Sequence, residues 1–218
     1  MKYLENISPS VAAISSGWSS GNVGVVAFDN FVIAIDTTNS PERGRIFREE
    51  IDSHFNLDVK YTFLTHHHSD HASGLNAFSD TTIISTKQTA KKIRSLTRIN
   101  TYPSVVFDSE YTISNETDYA ELHHTGGHTS DSSYLHFPKE RVIFSGDLIF
   151  EGYLFFAGYQ SNPNKWIAAL ERFKELNPNI IVPGHGPTLN GVKPLDKHIS
   201  LLNLLTSTSA CGKREKRP

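Results

Sequence analysis

Apolar residues fall in two arrangements along this chain: short continuous runs of strand length, and longer stretches spaced every three or four positions. The runs Val11–Ile14, 23–28 and 31–35 read as strands, and Asp29-Asn30 between the last two is a hairpin signal. Pro41 then opens a helical stretch, with Ile46, Phe47, Ile51 and Phe55 on one stripe. Beyond it the two arrangements alternate. Residues 61–64 form a strand that runs into a histidine cluster. Residues 82–85 form another, followed by a helix through Ala90, Ile93 and Leu96. Residues 119–122, 134–137 and 142–144 read as strands. From 164 to 176, Trp166, Ile167, Leu170, Phe173 and Leu176 share one face of an amphipathic helix. A buried strand at 180–182 and a last helix from about 194 to 205 complete the pattern. The order predicts an α/β architecture, sheets covered by helices, in one compact unit spanning 1–218.

Composition changes this picture little. The chain has 218 residues, 38% hydrophobic and 20% charged, with a formal net charge of -2. That balance gives no reason to expect a nucleic acid or other polyanion as partner. The basic segment Lys213-Arg214-Glu215-Lys216-Arg217 reads as a solvated chain end. Cys211 is the one cysteine, so no internal disulfide holds the fold. Met1-Lys2-Tyr3-Leu4-Glu5-Asn6 lacks the apolar core of a signal peptide, and no apolar stretch is long enough to span a bilayer. The expected compartment is the cytoplasm. The departure from the ordinary is 11 histidines, several of them clustered.

The cluster His66-His67-His68-Ser69-Asp70-His71 lies between the strand at 61–64 and Ala72-Ser73-Gly74, on a strand-to-helix loop. Alternate residues of an extended segment point the same way, so His66 and His68 can face one metal. Asp70 and His71 follow as the chain turns and can face a second position. Imidazole and carboxylate ligands suit zinc or iron. Four residues do not complete two sites. Three further candidates each follow a strand and adjoin a glycine: His128 in Gly126-Gly127-His128, Asp147 in Ser145-Gly146-Asp147, and His185 in Pro183-Gly184-His185. Glycine lets the backbone approach a ligand closely, and a carboxylate such as Asp147 has two oxygens with which to bridge two metals.

Together these segments resemble the metallo-β-lactamase superfamily, in order and over nearly the whole chain. The family pattern is H-x-H-x-D-H, a distal H, a D and a final H. Here it reads Thr65-His66-His67-His68-Ser69-Asp70-His71, Gly127-His128-Thr129, Gly146-Asp147-Leu148 and Gly184-His185-Gly186. Ala34-Ile35-Asp36-Thr37 also resembles the family's early "IDTG" turn. Thr38 stands where glycine is usual, and Gly126 where the family often has proline. The resemblance implies a four-layer αβ/βα sandwich with metals at one rim. It implies that His66, His68 and His128 hold a first divalent metal, that Asp70, His71 and His185 hold a second, and that Asp147 bridges them. Zinc is the expected metal, with iron or manganese as alternatives. A metal-bound water that loses its proton near neutral pH would be the nucleophile, with Asp70 as the catalytic residue that orients it.

The implied function is a dinuclear-metal hydrolase that cleaves an acyl ester, thioester or lactone of a small molecule. The ligand set is like that of glyoxalase II, although the short stretch after His185 leaves little of that enzyme's helical glutathione-binding region. Alternatives are a mononuclear-iron enzyme similar to persulfide dioxygenases, using His66, His128 and Asp147, a phosphodiesterase or β-lactamase-like enzyme, and a non-catalytic metal-stabilised binding module. Class B1 β-lactamases carry cysteine at the position of Asp147, and flavodiiron proteins carry glutamate at that of His68. His67 is expected to point away from the ligands. His123 and His124 read as packing or supporting residues, while His54, His136 and His198 have no partner pattern. Tyr153, Phe155, Phe156 and Tyr159 could floor a substrate pocket or belong to the core. Substrate choice is expected to depend on the loops at 18–22 and 151–162.

Overall fold

The computed structural model describes residues 3–15, 17, 20–96, 98–152, 158 and 160–211. The described residues form two sheets. The first runs in chain order: β1 (Glu5–Ser8), β2 (Val11–Ile14), β3 (Val23–Ala27), β4 (Val32–Ile35), β5 (Val59–Phe63), β6 (Thr82–Thr86) and β7 (Val105–Phe107). Its first four strands form an antiparallel meander, and β4 to β7 are parallel. The parallel half needs crossovers. They are α1 (Pro41–Phe55), then α2 (Ser69–Ala72) with a 3-10 turn at Leu75–Phe78, then α3 (Lys87–Ile93). The second sheet holds β8 (Glu110–Ser114), β9 (Tyr119–His124), β10 (Ser133–Phe137), β11 (Val142–Phe150), β12 (Ile180–His185) and β13 (Leu189–Asn190). In it β11 and β12 are parallel, joined through α4 (Pro163–Leu176), and α5 (Leu195–Cys211) closes the order.

Strand periodicity assigns each residue to a layer. In β4, Ile33 and Ile35 enter the core between the sheets with Phe63, Leu135, Phe137 and Phe144. Val32 and Ala34 face outward and pack with Phe47 and Ile51 of α1. On the far side Ile143 and Ile181 meet Trp166, Leu170 and Phe173 of α4 and Leu202 of α5. The order helix, sheet, sheet, helix is the four-layer sandwich that the family resemblance implied. Both long crossover helices carry matching end signals. Ser40 caps α1 by accepting from Arg43 N, and Asn162 caps α4 by accepting from Lys165 N. Pro41 and Pro163 open them, and left-handed Asn56 and Asn177 end them.

Four strands go beyond the sequence reading: β1, β7, β8 and β13. All four lie at sheet edges; β7 and β13 are only three and two residues long, and β1 and β8 are mostly polar, so none carries an apolar run of ordinary strand length. β11 and β12 also extend past the expected 142–144 and 180–182. Their added residues are the ones that carry Asp147 and His185 to the rim.

Candidate metal centre

After β5 the chain leaves the sheet with bends at Thr65 and His67, and His68, itself extended, caps α2 without a side-chain bond. This places His66 and His68 on one side, while the first turn of α2 presents Asp70 and His71. From the second sheet, the loop after β9 brings His128, β11 brings Asp147, and the end of β12 brings His185. Positive φ at Gly146 (50°) and a register shift between Phe144 and Gly146 set Asp147 out of the regular ladder.

The seven side chains converge as two groups. In the first, the Nε2 atoms of His66 and His128 lie 3.4 and 3.3 Å from Asp147 Oδ2, and His128 Nε2 lies 3.1 Å from His68 Nδ1. In the second, the Nε2 atoms of His71 and His185 lie 3.0 and 3.2 Å from Asp147 Oδ1, and His185 Nε2 lies 3.3 Å from Asp70 Oδ2. His66, His68, His128 and Asp147 could hold one ion, and Asp70, His71 and His185 a second. His68 and Asp70 are the more open members, at 33% and 27% side-chain exposure, and mark the side of the centre that is open to solvent.

The donor set fits a metal. His66 Nε2, His71 Nε2 and Asp147 Oδ1 are buried, face one another, and have no hydrogen-bond partner among the described residues. Unsatisfied buried polar atoms are costly, and a cation would satisfy these three together. Two glycines keep the space open. A Cβ at Gly184 would run into Asp147 Oδ1, and one at Gly21 would lie 2.7 Å from His71 Nε2.

Electrostatics divide the groups. Burial pushes His66 down to about 4 against the pull of Asp147, so its ring is neutral at neutral pH and one ring nitrogen carries a lone pair. Burial alone would raise Asp147, but His71, His66, His128 and His185 hold it well below the carboxylate range. Asp70 is held low in the same way, with burial outweighed by His71 and His185. Burial opposes charge on His71, yet Asp147, Asp36 and Asp70 lift it well above its ordinary value. His185 is raised to about 9, since Asp147 and Asp70 outweigh its burial. The carboxylates thus gather positive charge at the second group, charge that a bound cation would supply in place of protons.

Supporting residues fix the ring orientations. Asp36 Oδ2 meets His71 Nδ1 at 2.8 Å and accepts from Thr65 Oγ1, which contacts His66 Nδ1 at 3.0 Å. Asp36 sits at φ 57°, a left-handed conformation that aspartate adopts more readily than most residues. Asn22 donates its amide to the Pro183 and Gly186 carbonyls and ties the β2–β3 connection to the His185 loop. The Phe150 ring stacks on His185 with centroids 5.0 Å apart. Sequence reasoning held Asp36 and Thr65 only as parts of quoted motifs and Asn22 only as part of a loop, gave none of them a supporting role, and missed Asp131. Their signal was a polar residue beside a strand that is buried in the fold, and burial is not visible in sequence.

The other histidines are placed elsewhere. His67 turns away, its Nδ1 3.0 Å from Asp131 Oδ1. His123 stacks on Tyr134, and His124 bonds the Asp108 and Ser130 carbonyls. His54 meets Asn6, His136 meets Glu121, and His198 meets the Pro194 and Phe150 carbonyls. Trp18, Tyr153, Phe155, Phe156, Tyr159 and the basic segment at 213–217 lie outside the described residues.

A family model for the metallo-β-lactamase superfamily matches residues 16–185, a span that includes all seven converging side chains. The chain belongs to the metallo-β-lactamase superfamily. A β-lactamase-like protein 2 homolog of Caenorhabditis elegans is 29% identical over 146 residues, 66% of this chain and 48% of that protein. A type 2 metallo-β-lactamase of Elizabethkingia meningoseptica is 27% identical over 161 residues, 71% of this chain and 64% of that protein. The chain thus spans about half the length of the first of these curated relatives, and less than two thirds of the second. Among solved structures, a metallo-β-lactamase from Pontibacter korlensis superposes with a TM-score of 0.80 at 22% identity, covering 92% of this chain and 98% of that one. Metallo-β-lactamase superfamily proteins are generally hydrolytic metalloenzymes. No helix among the described residues is long and apolar enough to cross a membrane.

Proposed function

We propose that this protein is a dinuclear-metal hydrolase of a small acyl ester, thioester or lactone, with zinc as its metal. The observation that carries this reading is the second group. Asp70, His71 and His185 form a complete ligand set of their own, and Asp147 offers Oδ1 to them and Oδ2 to His66 and His128. An enzyme with one iron at His66, His128 and Asp147 would leave Asp70, His71 and His185 without a metal, so metal content separates the two readings. When bound, the metals supply Lewis acidity and make a coordinated water acidic enough to attack near neutral pH.

The chain's own residues do the rest. His66, neutral at physiological pH, offers a lone pair without first giving up a proton. Asp147 keeps both groups in register through its two oxygens. Asp70, partly exposed and anionic, faces the open side, where it holds and orients the attacking water and serves as the catalytic residue. The aspartate at 147, where class B1 β-lactamases carry cysteine, favours the glyoxalase II-like ligand set over a β-lactamase one.

The test is a panel of thioester, lactone, acyl ester, phosphodiester and β-lactam substrates with zinc-loaded protein. Zinc-dependent cleavage of an acyl substrate, reduced at least about 100-fold in Asp70→Asn, is expected. One iron per chain with thiol-dependent oxygen uptake would overturn the hydrolase in favour of a redox enzyme. Full metal content with no cleavage in any class would favour a binding module.

A further inference from the structure

The proposed metal ligands His66 and His68 lie on a segment that no strand holds. The sheet ladder ends at Phe63, and α2 begins at Ser69. Neighbouring points are fixed by backbone bonds, from Leu64 N to Ile84 O and from Ser133 N to Thr65 O. At His67, between the two ligands, the constraint comes from a side chain. The His67 N–H donates to Asp131 Oδ2 at 3.0 Å, and the His67 ring meets Asp131 Oδ1 through Nδ1 at 3.0 Å.

Asp131 is fully buried, and two more groups reach it from α3: Thr89 Oγ1 at 3.0 Å and Lys92 Nζ at 2.7 Å. Its own turn does not use the carboxylate, because Thr129 and Ser132 close that turn between themselves. The same turn directly follows His128, the third histidine of the first group. One carboxylate therefore joins the strand-to-helix loop, the His128 turn and α3. Burial raises the cost of its charge, and the bonds from His67 and Lys92 outweigh it, so the carboxyl stays ionised far below its usual range. A buried charge is an expensive way to close a loop and an effective way to fix an orientation.

We infer that Asp131 is a positioning residue for the metal centre: by fastening the His67 peptide and ring to α3, it aims His66 and His68 at the point that His128 faces. This rests on the proposal that those histidines hold a metal. Lys92 extends the same brace, since its ammonium also reaches Ser130 Oγ at 2.9 Å and Gln160 Oε1 at 3.0 Å, tying in the segment before α4.

The experiment compares wild type with Asp131→Asn, which keeps shape and removes charge. Zinc affinity is read by competition with a chromophoric chelator, the visible spectrum after cobalt loading, and the denaturation midpoint without metal. The expected result is zinc binding weakened about 10- to 100-fold, with shifted cobalt bands. A lowered metal-free midpoint with unchanged affinity and spectrum would make Asp131 merely structural and overturn the inference. If Asp131→Asn does not fold, Thr89→Val decides. It removes one donor at nearly constant volume, so a smaller weakening in the same direction is expected, and unchanged affinity and spectrum overturn the inference. Wild type that takes up no zinc or cobalt would instead overturn the reading on which it rests.

Discussion

Asp147 is where both ligand groups meet, and the residue that makes room for it is Gly184. Nothing about Gly184 requires a left-handed backbone; what it lacks is the Cβ that would collide with Asp147 Oδ1. Gly184→Ala is therefore expected to displace the carboxylate, deplete both metals and lower hydrolysis about 100-fold, the cost of a misplacement near 1 Å. Metal analysis alongside circular dichroism checks this, because the fold should survive. The raised His185 gives a pH prediction of two opposite signs. Its value rises from 6.5 to about 9 in the metal-free protein. A group raised on folding adds stability that is fully present below its unfolded value and lost as pH climbs through its folded one. Metal-free protein should thus lose stability from about pH 6.5 to 9, while zinc affinity at Asp70, His71 and His185 rises over the same range as protons leave. Denaturation midpoints and chelator competition at several pH values read the two trends. The seven converging side chains were legible because their types and spacing are those of metal-binding chemistry. Asp36, Asn22 and Asp131 were not, because each acts on a partner distant in sequence: His71, the His185 loop and His67.

Elements turn these contacts into a rim. β5, β11 and β12 are inner strands, and each ends or bulges where converging side chains emerge. Their apolar runs made them legible, while the edge strands β1, β7 and β13 were hidden by short length or polar residues. The caps of α1 and α4 could be read locally, since Ser40-Pro41 and Asn162-Pro163 need no distant partner. α1 also separates stability from function. Phe47 is fully buried between α1 and the outer face of the first sheet, in the outer core that does not reach the ligands. Phe47→Ala should cost about 3–5 kcal/mol. Urea unfolding of the metal-loaded protein measures that loss, and the molecules still folded should hold their full complement of metal.

The whole molecule is a sandwich whose rim crosses from one sheet to the other. His66, His68, Asp70 and His71 follow a strand of the first sheet; His128, Asp147 and His185 belong to the second. A metal bound by both groups would pin the sheets together at one end. Binding to the folded state alone stabilises it by about 4 kcal/mol when free metal is a thousand times Kd. Chelation is expected to lower the thermal midpoint by the matching amount, and zinc to restore it. Periodicity made sheets covered by helices legible and the family resemblance supplied the layer order, but how Asp147 and His185 come together emerged only from the pairing of β11 with β12 and the bulge between Phe144 and Gly146. The most direct test of the shared centre is a metal titration of wild type and His71→Ala, read by bound metal per chain. Wild type should take up two equivalents and His71→Ala one, with the loss confined to the Asp70, His71 and His185 group. A wild type that saturates at one equivalent, or a His71→Ala protein that still binds two with unchanged affinity, would contradict the two-metal account.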